Sequence, residues 1–113
     1  MSLPPERLKR RPAFRLVAAT GRKAPMPGLV LQALPRPDDG AARIGFTVTK
    51  KVGNAVIRNR TRRRLKEAAR LWLAAHPVVG VDLVLIGRDG TCKRNFLALQ
   101  DDFRRALAKT GVA

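Results

Sequence analysis

Between Lys50 and Arg70 the chain reads KKVGNAVIRNRTRRRLKEAAR, with nine Lys or Arg and one acid, Glu67. Side chains of this kind bind anions rather than move protons. Arg stays charged, and its fork of donors matches phosphate oxygens. With Asn54 as N-cap and a step of about 100° per residue, Ile57, Thr61, Leu65, Ala68 and Trp72 share one face. Asn59, Arg63, Lys66 and Arg70 lie opposite, Arg58 and Arg62 on one flank, Arg60 and Arg64 on the other. A ligand that used all of them would have to wrap around the start of the helix. The placement also opposes the helix field, because the first turns favour acids and here hold only cations. Phosphates at that end would remove the conflict. An ordinary solvated helix face and a nuclear-localisation signal are the blander readings of such a run.

Other chemistry-bearing residues are isolated. His76 precedes Pro77 at the expected helix end and reads as a cap. Asp38-Asp39 falls in a turn and Asp101-Asp102 on a helix surface, and neither is spaced with further carboxylates as a magnesium site. Cys92 is a single thiol, which excludes an internal disulfide. No catalytic constellation is expected in the chain itself.

The elements that position the basic helix follow from periodicity. Ile44, Phe46 and Val48 alternate with Arg43, Gly45, Thr47, Thr49 and Lys51, giving a strand with an apolar and a polar face. Pro12 suits a first helical turn; Phe14, Val17 and Ala18 share a stripe that Gly21 can end. LVLQAL at 29–34 and VDLVLIG at 81–87 read as strands, the second buried on both faces. A last helix puts Phe96, Leu99, Phe103 and Leu107 on one core stripe, while Trp72 belongs to the core of the long helix. The reading is α+β, a single four-stranded sheet with three helices in αβββαβα order. Residues 1–113 form one RNA-binding domain, with 1–11 a flexible basic arm. Because a strand, not a helix and tight turn, precedes the basic helix, a DNA-reading helix-turn-helix is disfavoured and RNA remains.

Composition points the same way. The 113 residues carry 24 Lys plus Arg against 8 Asp plus Glu, a formal charge of +16. Self-repulsion of that size is relieved by a polyanion. No apolar run reaches the roughly 18 residues of a spanning helix, and no signal-peptide core is visible. A cytoplasmic setting without a membrane partner is expected.

The run IGFTVTKKVGNAVIRNRTRRRLKEAAR closely resembles the protein subunit of bacterial ribonuclease P, whose hallmark joins Lys-Lys, Gly-Asn-Ala-Val and Arg-Asn-Arg. RLKRRPAF and DLVLIGR extend the likeness. The resemblance implies a left-handed βαβ crossover, as in the second domain of ribosomal protein S5. It also implies a catalyst made of RNA, with Mg2+ bound mainly by that RNA, which removes the 5′ leader of precursor tRNA. The implied partners are ribonuclease P RNA, one protein per RNA, and the precursor's leader. Carried over, Lys50, Lys51, Asn54, Arg58, Asn59, Arg60, Arg62, Arg63 and Lys66 form the RNA-binding group. Phe14, Thr47 and Thr49 belong to a leader cleft. Ala18 and Gln32 stand there where many members have aromatics, so phosphate contacts or Gln32 hydrogen bonds replace some stacking. A structural ribosomal RNA-binding protein is the alternative, and a protein-only nuclease a third reading.

Overall fold

Alternating and helical hydrophobic periods succeed one another along the chain, and the elements follow them. The computed structural model describes residues 4–112. In order it contains β1 (Glu6–Arg7), α1 (Arg11–Thr20), β2 (Arg22–Pro25), β3 (Leu29–Pro35), β4 (Arg43–Thr47), α2 (Ala55–Ala75), β5 (Val81–Gly87) and α3 (Phe96–Lys109). A 3-10 turn, Lys50–Val52, leads into α2. One mixed sheet has the order β1-β4-β5-β3-β2. β4 and β5 are parallel neighbours, so α2 is the crossover between them. β3 runs antiparallel to both β5 and β2. No helix among the described residues is long and apolar enough to cross a membrane.

The two faces of the sheet are covered unequally. Leu29, Leu31, Ile44, Leu83 and Leu85 pack with Leu65 and Leu73 of α2 and Leu99, Phe103 and Leu107 of α3. Burying each Leu or Phe stabilises by about 1.5–3 kcal/mol, which makes this layer the main source of stability. α2 sits close to β5 because Gly87 has no side chain: a Cβ there would come within 2.6 Å of Thr61 Cγ2. Thr61 is fully buried, and its hydroxyl donates to the Ile57 carbonyl at 2.8 Å. On the opposite face a small cluster of Leu8, Val17 and Val84 holds α1, with Phe14 and Ile86 at its margin. The rest of that face is left open.

Three expectations change. The sheet has five strands rather than four, because the expected flexible arm docks from Glu6 onward. Glu6 N–H donates to the Ala42 carbonyl at 2.7 Å and Leu8 N–H to the Ile44 carbonyl at 2.9 Å. Leu8, the apolar residue of RLKRR, is 3% exposed and anchors the segment; residues 1–3 of the arm lie outside the described residues. Phe96 sits at the margin of the core rather than inside it: Leu99, Phe103 and Leu107 are fully buried, whereas Phe96, at the first turn of α3, packs against their cluster only half-buried. Trp72 likewise packs against the core only half-buried, and it stacks on His76 at 3.8 Å between ring centroids. His76 is the C-cap of α2, as its position before Pro77 suggested.

Candidate nucleic-acid interface

The basic helix begins at a designed break. Gly53 has φ of 152°, a value side chains disfavour, and it separates the 3-10 turn from α2. Asn54 follows as N-cap, its Oδ1 accepting from Ile57 N–H at 3.0 Å. One end of this expected RNA-binding side chain therefore serves the helix itself. No acid stands in the first turn.

Opposite charges are sorted into different parts of the molecule. Asp82 is held by Arg36 at 2.7 Å and Arg43 at 2.6 Å. Burial pushes its carboxyl upward, but the hydrogen bonds from Arg43 and Arg36 outweigh it and leave the group below the usual carboxylate range. Asp102, fully buried, pairs with Arg94 and Arg105 and also accepts from Gly28 N–H at 3.0 Å. Asp101 pairs with Arg104 and Arg105, and Asp38 with Arg36. Glu67 is taken by Arg70 at 2.6 Å, whose hydrogen bond holds the carboxyl low. Among the described residues, Lys50, Lys51, Arg58, Arg60, Arg62, Arg63 and Lys66 make no ion pair. The five paired acids thus brace the scaffold, and the N-terminal half of α2 keeps its charge for a partner.

These cations face three ways, as the helical wheel required. Arg62 and Lys66 line a cavity of about 340 Å³ with Arg7, Lys9, Phe14 and Gly45. Asn59, Arg63 and Lys66 surround the exposed Val56 on the outer side. Arg60 and Arg64 point toward the start of α3, where Arg64 donates to the carbonyls of Cys92, at 2.8 Å, and Arg94. Arg58 is partly buried, and its Nε is shielded with no hydrogen-bond partner among the described residues.

The open sheet face adjoins the first of these directions. Gly45, Val84, Gln32 and Lys23 form one cross-strand row, and Thr47, Ile86, Val30 and Pro25 the next. α1 lies over the first row, with Phe14 against Gly45 and Val17 against Val84. Thr47 is half-buried in the second row, and Thr49 is exposed beyond it. Ala18 is exposed on α1. Gln32, expected in the cleft floor, is only 7% exposed because its row runs beneath α1. It is a weaker candidate for direct contact than its sequence position suggested.

Sequence reasoning missed Arg7 and Lys9, which join Phe14 and Arg62 around the cavity. Their signal was Leu8 between them: an apolar residue in a basic run can dock its neighbours. Residues fit to hold a metal are not gathered here; among the described residues no three His, Cys, Asp or Glu side chains approach one another suitably.

Comparison with known proteins agrees with this geometry. The family model described as Ribonuclease P matches residues 4–111. The ribonuclease P protein component of Gluconacetobacter diazotrophicus is 67% identical over 106 residues, covering 94% of this chain and 91% of that one. Its counterpart in Paramagnetospirillum magneticum is 47% identical over 111 residues, covering 95% and 84%. Among solved structures, the RNase P protein of Thermotoga maritima superposes with a TM-score of 0.74 at 26% identity, covering 88% and 93%. The Staphylococcus aureus RNase P protein shares the fold, with a TM-score of 0.76 at 24% identity, covering 94% and 95%.

Proposed function

The chain belongs to the ribonuclease P protein family and is the protein subunit of that enzyme, and from this premise we propose how its surface is used. The catalytic centre belongs to the partner RNA, which would also bind the Mg2+ that supports hydrolysis. This chain supplies no group to the cleaved bond. Five of its eight carboxylates, Asp38, Glu67, Asp82, Asp101 and Asp102, are held by arginines, and its one imidazole caps and stacks at the far end of α2.

The protein instead binds two RNA segments at once. The outer cations of α2, Asn59, Arg63 and their neighbours, take phosphates of the catalytic RNA. The 5′ leader of precursor tRNA lies over the open sheet face beside α1, with Phe14 offering an aromatic edge, Thr47 and Thr49 hydroxyls, and Arg62, Lys66 and Lys9 phosphate contacts. Substrates that still carry a leader are thereby favoured over mature tRNA. The observation that carries this reading is the sorting of charge, which leaves unpaired cations around one cleft with an aromatic at its edge. A cytoplasmic location and one protein per RNA accompany it.

Single-turnover cleavage of a precursor tRNA by ribonuclease P RNA at low magnesium, with and without this protein, tests the proposal. Protein-dependent cleavage at the mature 5′ end that strengthens with leader length is expected. Stimulation that ignores the leader would remove the cleft from the account.

A further inference from the structure

Phe96 is a half-buried aromatic that the leader cleft does not use. It forms the α3 wall of a shallow groove of about 510 Å³, whose other lining residues, Arg60, Arg63, Arg64, Lys66 and Glu67, all come from α2. Four of those five are cations, and the fifth is already neutralised by Arg70 at 2.6 Å. The groove is also held in shape. Arg64 is tied to the carbonyls of Cys92 and Arg94, and Asn95 caps α3 through Ala98 N–H at 3.1 Å. The ring of Phe96 therefore meets solvent at a fixed place, opposite a row of guanidinium groups.

We propose that this groove takes an unpaired nucleobase of the partner RNA, its π face against Phe96 and its flanking phosphates on Arg60 and Arg63. An aromatic wall gives sequence-tolerant stacking, and a cationic rim selects a nucleotide over a purely apolar occupant. Charge complementarity excludes a basic-rimmed partner and fits a polyanion. Lys66 borders both sites, but Arg60, Arg64 and Phe96 lie on the flank of α2 away from Arg62 and the cavity at Phe14, so the groove engages the catalytic RNA and not the leader. The inference rests on the reading of the chain as an RNA-binding subunit, and it adds a base contact to what would otherwise be phosphate contacts alone.

Phe96→Leu tests it, because leucine keeps the apolar packing against the core and removes the π face. Affinity for ribonuclease P RNA should fall by about 5- to 150-fold, the range for losing one stacked base. The slope of affinity against salt should stay unchanged, since no phosphate contact is lost. Phe96→Trp should restore binding, and Leu97→Ala, on the 74% exposed neighbour, should leave it as it was. A photo-reactive benzoylphenylalanine at position 96 should crosslink to one unpaired nucleotide of that RNA. This measurement does not depend on how well the leucine variant folds. Parent-like affinity of a folded Phe96→Leu, or no RNA crosslink from position 96, overturns the base site while leaving the subunit reading intact. Failure of the unmodified protein to bind ribonuclease P RNA above an unrelated RNA overturns both.

Discussion

The ring of Phe14 occupies the space that a side chain on Gly45 would need: a Cβ on Gly45 would stand 2.3 Å from Phe14 Cζ. The glycine lets α1 lie down on the sheet and presents the aromatic edge to the cavity shared with Lys9, Arg62 and Lys66. Gly45→Ala should therefore displace Phe14. Overpacking of this kind costs about 1–3 kcal/mol, and the rate gain from a long leader should shrink more than the affinity for ribonuclease P RNA. Single-turnover rates with long and short leaders, beside a thermal melt, would check this. A variant with unchanged leader dependence would show that Phe14 does not shape the cleft.

Salt dependence separates the unpaired cations from the paired ones. Among the described residues Arg60 and Arg63 make no ion pair, whereas Arg104 and Arg105 lie against Asp101 and Asp102. Each phosphate contact on a single strand contributes about −0.7 to the log–log slope of affinity against salt. The Arg60→Ala, Arg63→Ala double variant should flatten that slope by one to two such increments, and Arg104→Ala should leave it unchanged. Equal effects would mean that total charge, not placement, drives binding.

The parts of this architecture legible in the sequence are those with local causes. Asn54 could be read as the cap of α2 because cap and capped N–H are three residues apart. The alternation of Ile44 and Phe46 announced β4, and the continuous run at 81–87 announced β5. But β4 ends at Thr47: of the residues read as its continuation, Thr49 is the N-cap and Lys51 a member of the 3-10 turn that breaks the strand. What stayed hidden depends on pairs distant along the chain. β1 exists only because Glu6 and Arg7 find Arg43 and Ile44, so a basic segment read alone looks unstructured. Gln32 looked available because strand alternation gives a face but not what covers it. Phe96 fitted the periodic stripe of α3, yet the first turn of a helix can overhang the core that its later turns enter.

The Asp82 cluster predicts a defined acid response. Asp82 is 3% exposed and bridged by Arg36 and Arg43 across strand ends. Its pKa in the fold lies below the ordinary aspartate value of 3.8. A depressed carboxylate stabilises the fold fully above its unfolded pKa, and that contribution is lost as pH falls through the lower folded value. Asp82→Asn should thus cost about 2–4 kcal/mol at neutral pH, since two arginines lose their charge partner. The difference from the parent should narrow below about pH 4. Urea melts at pH 7 and near pH 3 would show this, and a gap that widened in acid would contradict the assignment.

Two adjacent arginines of α2 should respond in opposite ways. Arg63 is exposed and makes no ion pair among the described residues, so its charge is available to RNA. Arg64 is partly buried, and its guanidinium donates to the backbone at Cys92 and Arg94, fastening the loop between β5 and α3 to the helix. Arg63→Ala should weaken RNA binding with stability changed by no more than about 0.5 kcal/mol. Arg64→Ala should lower stability by about 1–2 kcal/mol, because two loop carbonyls lose a charged donor. The Lys93 and Arg94 amides, which bond to Gly90, should then exchange hydrogen faster than those of α2. Exchange measured on both variants decides the point: protection of the loop unchanged in Arg64→Ala would make Arg64 one more RNA-facing cation rather than the brace of its neighbour's surface.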